Sequence, residues 1–296
     1  MIAVRLLLYL AFGLCLALVL GPIAVIIGIS FSPIDGFAFP PTGLSLRWYA
    51  SFLASEKLLG SLLFSFQTAL TVAILSLILG TSAALALARR RGIVAAGIQS
   101  LFMAPMVFPT IILGLAILLF VRVIGAPLWL GLIVAHVLIG TPYCFRMVTG
   151  SLQAFDPTLE EASQSLGAGP IRTFAYVIMP LIWPGMMAGA LFAFIVSFGE
   201  NNAALFLTSP GYSTMPIELL GYLQFPGNQL IVAAASTLQV GLIVVLIVLM
   251  ERLVGLGRIV RGDRSGVKSS SAKATQPWPR CSTSTRASPS SACMRW

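Results

Sequence analysis

The stretch Glu160-Glu-Ala-Ser-Gln-Ser-Leu-Gly-Ala-Gly-Pro-Ile-Arg-Thr-Phe-Ala-Tyr-Val-Ile-Met-Pro180 separates two long apolar runs. Its charges sit at Glu160, Glu161 and Arg172, while Leu159, Leu166, Ile171, Phe174 and Val177 supply apolar contacts. Gly167 and the Gly169-Pro170 pair break it into two short helical pieces, because glycine and proline are the strongest local punctuators of a helix. A plain connection between membrane spans needs no such pattern. A short amphipathic element bent at a fixed place suits docking to a partner, although an ordinary interfacial helix has the same composition.

The flanking chain sets the fold class. The protein has 296 residues, of which 58% are hydrophobic and only 9% charged, against about 25% charged in an average soluble domain. The apolar residues come in runs of the length required to cross about 30 Å of hydrocarbon. Spans are expected at about 6–30, 58–88, 98–121, 127–145, 182–207 and 230–250, within a membrane domain covering 1–262. The loop over 150–181 lies between the fourth and fifth spans. The remaining segment, 263–296, is rich in Ser, Thr, Ala, Arg and Pro without periodicity and is expected to be disordered. The first run follows Arg5 and is too long for a typical signal-peptide core, so it reads as an uncleaved span. An outer loop over 31–57 holds a short interfacial helix near Trp48–Phe52.

The net charge of +9 does not indicate nucleic acid. The arginines stand beside apolar runs, and they fall on alternate sides when six spans are counted. Arg5, Arg89, Arg90, Arg91, Arg146, Arg172, Arg252, Arg258, Arg261 and Arg264 fall on one side. Arg47, Lys57 and Arg122 fall on the other. The positive-inside rule therefore puts both termini and the 150–181 loop in the cytoplasm.

In that setting the central stretch resembles the EAA loop of bacterial binding-protein-dependent ABC transporter permeases. The loop has Glu-Ala-Ala, a Gly six residues after the Glu, and a closing Ile-x-Leu-Pro. Glu161, Ala162, Gly167 and Pro180 fall on it, while Ser163 stands for the second Ala, Val177 for the Ile and Met179 for the Leu. The resemblance implies an all-α, six-span membrane protein of the type I, MetI-like importer architecture with a cytoplasmic coupling helix. It further implies three partners: a cytoplasmic ABC ATPase dimer, a second permease subunit, and an extracytoplasmic solute-binding protein. The setting would be the bacterial inner membrane, with lipid around the spans. Within the family, Ser197-Phe198-Gly199-Glu200, Phe206 and Met215-Pro216 are similar to the second permease of spermidine/putrescine-type importers. Gly199 stands where that branch carries Asp. The likeness covers about residues 1–260 in span order and loop length.

The residues themselves suggest no catalysis. No Gly-x-x-x-x-Gly-Lys-Ser/Thr occurs, so the chain cannot cradle ATP phosphates by that route, and no cofactor is expected. His136 is the single histidine, and Cys15, Cys144, Cys281 and Cys293 lack metal-ligand spacing. The polar residues inside apolar runs are the path candidates: His136, Tyr143, Ser197, Glu200 and Asn201. His136 and Tyr143 are two turns apart and share a helix face, either as a buried, hydrogen-bonded pair facing neighbouring helices or as pore lining. Glu200 lies about 27 Å of helix rise beyond Ile182. It is either a cation-attracting group, helped by Asn201 and Asn202, or a structural partner of Arg122 at the outer end of the third span, or an interfacial residue. An ionisable residue in a span is a functional candidate by default, so an ion-coupled secondary transporter using Glu200 is the rival reading. Pro105 and Pro109 are four apart in the third span and are expected to kink it on one face. Gly185 and Gly189 have small-xxx-small spacing, which allows close contact within the chain or with a partner.

Overall fold

The structure is a computed structural model that describes residues 2–254 apart from 37, 89, 91, 155, 210 and 226. The expected disordered segment 263–296 lies outside the described residues. The described chain is helical, with no named strand among its residues. Five helices are long and apolar enough to cross a membrane, and a bent pair supplies a sixth crossing.

The first helix, α1 (Ile2–Ser30), carries apolar residues around its whole circumference and packs mainly against the last helix. Most of its side chains are exposed, the mark of a surface solvated by lipid or by another chain rather than by water. It ends at Ser30, whose hydroxyl donates to the Ile27 carbonyl at 2.6 Å and lies 2.7 Å from the Tyr49 hydroxyl. The short helix α2 (Arg47–Ala54) buries Trp48 and Phe52 on one side. The Trp48 indole N–H donates to the Ser32 carbonyl at 2.8 Å, tying α2 to the end of α1.

The centre is formed by α3 (Glu56–Ala88), α6 (Leu128–Gln153) and α9 (Met179–Gly199), each packed on the other two. Hydrocarbon gives apolar side chains no reason to leave it, so helices associate there through close van der Waals contact between small residues. A Cβ at Gly80 of α3 would fall 2.6 Å from the Cys144 Cβ, and one at Gly189 of α9 would fall 2.8 Å from the Cys144 Cα. Two glycines from different helices therefore clasp one residue of α6. Gly185 closes on Met147 and Ser151 of the same helix. The small-xxx-small pair is thus spent within the chain.

The third crossing departs from the expected kinked helix. The chain runs as α4 (Ile93–Met103), a single 3-10 turn over Ala104–Met106, and α5 (Thr110–Ile124). The two helices are bent by 96°. Pro109 has no N–H to continue the ladder, and its ring disfavours a helical Phe108. The helix breaks outright, so Pro105 and Pro109 do not share a helix face. The fourth crossing is longer than expected: α6 continues to Gln153, since nothing after Phe145 stops it.

The fifth crossing starts earlier and ends earlier than expected. The helical chain begins at Pro170, passes through one wide turn over Phe174–Ile178, and stops at Gly199. In the wide turn the Met179 N–H reaches the Phe174 carbonyl, one residue further back than in an α-helix. Pro180 accounts for this: its ring would clash with the carbonyl four residues back, and an extra residue in the turn relieves the crowding. Beyond Gly199 come the short α10 (Ala204–Leu207), α11 (Met215–Leu223) and the last crossing, α12 (Gln229–Val254). Lys57 and Glu218 form an ion pair of 2.7 Å that joins the start of α3 to α11.

Candidate functional site

The coupling candidates occupy an elbow. Helix α7 (Thr158–Ser165) begins where an Asp156 carboxylate oxygen accepts the Thr158 N–H at 3.0 Å. Accepting that backbone N–H holds the exposed Asp156 carboxyl below the usual carboxylate range. The helix ends in a Schellman closure: the Ala168 N–H donates to the Ser163 carbonyl at 3.1 Å and the Gly167 N–H to the Gln164 carbonyl at 2.9 Å. Gly167 sits at φ +82°, a conformation that glycine adopts without Cβ strain. The chain then re-enters the helical piece α8 (Pro170–Thr173) and runs on into α9.

One side-chain bond fixes the bend. The Ser163 hydroxyl lies 3.0 Å from the Thr173 hydroxyl, and Thr173 is buried. An alanine at 163 could not make this contact. Glu161, Ala162, Gly167 and Pro180 all face solvent, and Ser163 is half-buried. Leu166, Ile171 and Tyr176 are 89%, 82% and 80% exposed. The same element sends Ile178 and Ile182 into a core cluster with Leu87, Phe145 and Val148. One side of the elbow is therefore an exposed apolar ridge, while the other is rooted in the centre of the molecule.

The path candidates divide into two groups. His136 of α6 is 1% exposed, and its Nδ1 lies 2.9 Å from the Ser197 hydroxyl of α9. Tyr143 stacks on Phe192 of α9, with ring centroids 6.4 Å apart. His136 and Tyr143 thus both face α9, but they pair with different residues of it. A hydrogen bond between membrane helices is worth about 0.6 kcal/mol on average, so the His136–Ser197 bond aligns the two helices more than it stabilises them.

Glu200 lies just beyond the end of α9 rather than inside a span. One carboxylate oxygen accepts the backbone N–H groups of Asn202 at 2.9 Å and Ala203 at 3.1 Å. It closes the turn that carries the chain from α9 into α10. No ion pair joins Glu200 to Arg122 among the described residues. The Asn201 carbonyl accepts the Leu205 N–H at 3.0 Å. The Asn202 side-chain amide donates to the Thr110 hydroxyl at 3.3 Å, at the start of α5. The Ala203 backbone then packs so closely on Gly114 of α5 that a Cβ there would come within 2.7 Å.

Two contributors escape a reading by residue type, and a third does not. Thr173 is an ordinary threonine until the fold brings Ser163 to it. Gln239 of α12 donates to the Phe198 carbonyl at 3.2 Å, beside the end of α9. Asp156 is legible, since Asp two residues before a helical Thr is a familiar start signal.

Known proteins resemble the chain in sequence and in fold. Residues 76–255 match the family model described as "Binding-protein-dependent transport system inner membrane component". The chain is 32% identical over 204 residues to the putrescine transport system permease protein PotI of Escherichia coli, covering 66% of this chain and 72% of that one. It is 27% identical over 232 residues to the spermidine/putrescine transport system permease protein PotC of Haemophilus influenzae, covering 78% and 89%. Among solved structures it is similar in fold to a chain of a bacterial ABC transporter involved in import of the acidic polysaccharide alginate. The TM-score is 0.61 at 17% identity, covering 84% of this chain and 96% of that one.

Proposed function

This chain belongs to the binding-protein-dependent transport system inner membrane components, as a permease subunit of an ABC importer, and from that premise we propose that it moves a small polar or cationic solute of the polyamine kind, driven by ATP that a separate subunit hydrolyses. A cytoplasmic ATPase dimer grips the elbow around Glu161, Ala162, Ser163 and Gly167. A second permease subunit completes the path, and an extracytoplasmic binding protein delivers the solute. Both ends of the chain lie in the cytoplasm.

The observation that carries the proposal is the elbow: exposed apolar side chains at Leu166, Ile171 and Tyr176, of which Ile171 and Tyr176 lie on the helical run Pro170–Gly199 that contains α9. A continuous helix transmits displacement along its length, so a push on the ridge becomes a tilt of α9 against α6. The polyamine assignment is supported by the two relatives named above and by Glu200, whose carboxylate sits at the end of α9. The missing acidic group at Gly199 leaves fewer negative charges for a polycation. The rival ion-coupled mechanism has no separate observation in its favour, because a Glu200 oxygen already accepts two backbone N–H groups.

The test is uptake of labelled putrescine into vesicles holding the full assembly. Uptake is expected to require ATP inside and to persist when ion gradients are collapsed. Gly167→Pro cannot adopt φ +82°, since proline is confined near −65°. This variant and Glu161→Lys should insert normally yet lose uptake and ATPase binding. Wild-type uptake in both variants, or uptake that follows the ion gradient without ATP, would overturn the proposal.

A further inference from the structure

Three adjoining hollows run along the groove between α6 and the α4–α5 elbow. The first, of about 160 Å³, is lined by Arg90, Gln99, Thr149 and Gln153 among others. The second, of about 510 Å³, shares Gln99 and reaches Ser100 and Phe145. The third, of about 550 Å³, shares Ala104 with the second and is walled by apolar side chains such as Phe108 and Ile112. Its one hydroxyl-bearing residue, Thr141, turns its hydroxyl to the Val137 carbonyl at 2.7 Å.

The hollows climb a single ridge of α6. Gln153, Thr149, Phe145, Thr141 and Val137 stand four residues apart and line them in succession, an inclined row that winds partway round the helix as it rises. Sixteen residues rise about 24 Å. One leaflet with its headgroup region is about 20–22 Å thick, half of the whole bilayer. The groove is thus a leaflet deep, polar at one end and apolar at the other.

The polar end favours an anion. Among the described residues, no acidic side chain lines any of the three hollows. Arg90 is flanked in sequence by Arg89 and Arg91, and basic clusters at the cytoplasmic ends of spans attract anionic lipid. Gln99 and Gln153 line the same hollow as Arg90, and side-chain amides can donate to a phosphate. A helix of another chain lying in the groove would leave those amides and the guanidinium against apolar surface, which is costly. A free phosphate satisfies the polar end but leaves the apolar cavity without an occupant.

We infer that this groove seats one anionic glycerophospholipid, its phosphate beside Arg90, Gln99 and Gln153 and one acyl chain in the elbow cavity. The lipid braces the bent α4–α5 pair against α6, next to the segment that leads into the coupling elbow. Assignment to the cytoplasmic leaflet rests on the orientation proposed above. Occupancy does not, so the two fail separately.

The test is native mass spectrometry of the whole assembly, taken from nanodiscs of phosphatidylcholine with a minor share of phosphatidylglycerol and then washed with detergent. One phosphatidylglycerol per chain is expected to survive the wash. Retention should fall about fivefold in Arg90→Gln, the loss expected for one basic contact at the membrane surface. It should fall similarly in Ala104→Trp, which fills the elbow; if that variant does not fold, Ile112→Trp replaces it. Inorganic phosphate and glycerol phosphate, added in the wash, should not displace the lipid. Equal retention of both lipids overturns the inference. So does loss in Arg90→Gln with free phosphate competing and no loss on filling the elbow, which marks a headgroup-only anion site. Efficient crosslinking of Ile112→Cys to the second permease subunit also overturns it, because the groove would then be filled by protein.

Discussion

Ser163 and Thr173 are ten residues apart and meet at 3.0 Å across the bend. Removing one partner leaves the other hydroxyl in a site sized for a hydrogen bond, at a cost of about 1–3 kcal/mol. Thr173→Val keeps the shape and removes the bond. The expected result is an elbow that samples other angles, seen as transport per ATP falling several-fold with unchanged membrane insertion. Ser163→Ala should do the same, and the double variant should be no worse than either single one. Additive losses would mean that the two residues act separately. Much of this site could be read in the chain. Glu161, Ala162, Gly167 and Pro180 carry the family spacing in residue type alone. Thr173 does not, because a threonine near a helix end acquires a partner only when the bend is made.

The helices carry their information mainly in small residues. Gly189 of α9 faces the backbone of Cys144, which has no flexible end to move aside. Gly189→Leu should therefore cost about 1–3 kcal/mol or more through overpacking, measured as a lower unfolding temperature of the detergent-solubilised protein. Gly199→Ala is the contrast: a Cβ there meets nothing within 4 Å, so its unfolding temperature should stay close to the parent's. A large fall in that variant would show that the packing around α9 is misassigned. The Gly185-x-x-x-Gly189 spacing announced a close approach, but its partner was open until α6 was seen against it. The proline pair likewise announced a disturbance in the third crossing. The turn between Pro105 and Pro109 made it a 96° break, since two missing N–H groups one turn apart leave little ladder to bridge them.

At the scale of the whole molecule, the proposed coupling requires Leu166, Ile171 and Tyr176 to reach the cytoplasm and the loop near Tyr212 to face the other side. Single cysteines placed by Leu166→Cys and Tyr212→Cys, in a chain otherwise free of reactive thiols, report this directly. Cys144 is best replaced by alanine in that background, because Gly80 and Gly189 both close on it. An impermeant maleimide is expected to label Leu166→Cys only in inverted vesicles and Tyr212→Cys only from outside. The reverse pattern would remove the ATPase from reach of the elbow, and the coupling proposal with it.

The order of apolar runs, the arginine asymmetry and the punctuation of the central stretch were determined by the sequence, because hydropathy, charge and backbone freedom are local properties. They made this a helical membrane protein with a bent polar element between its fourth and fifth crossings. Only the tertiary structure decided which groups face each other. His136 turned to Ser197 rather than to Tyr143, Glu200 became the closure of a turn, and the helical run of α9 proved to begin at Pro170, in the second arm of the elbow. Those outcomes depend on which helix lies against which. In hydrocarbon that choice rests on close fit between small residues far apart in the chain, and a linear reading of residue types does not encode it.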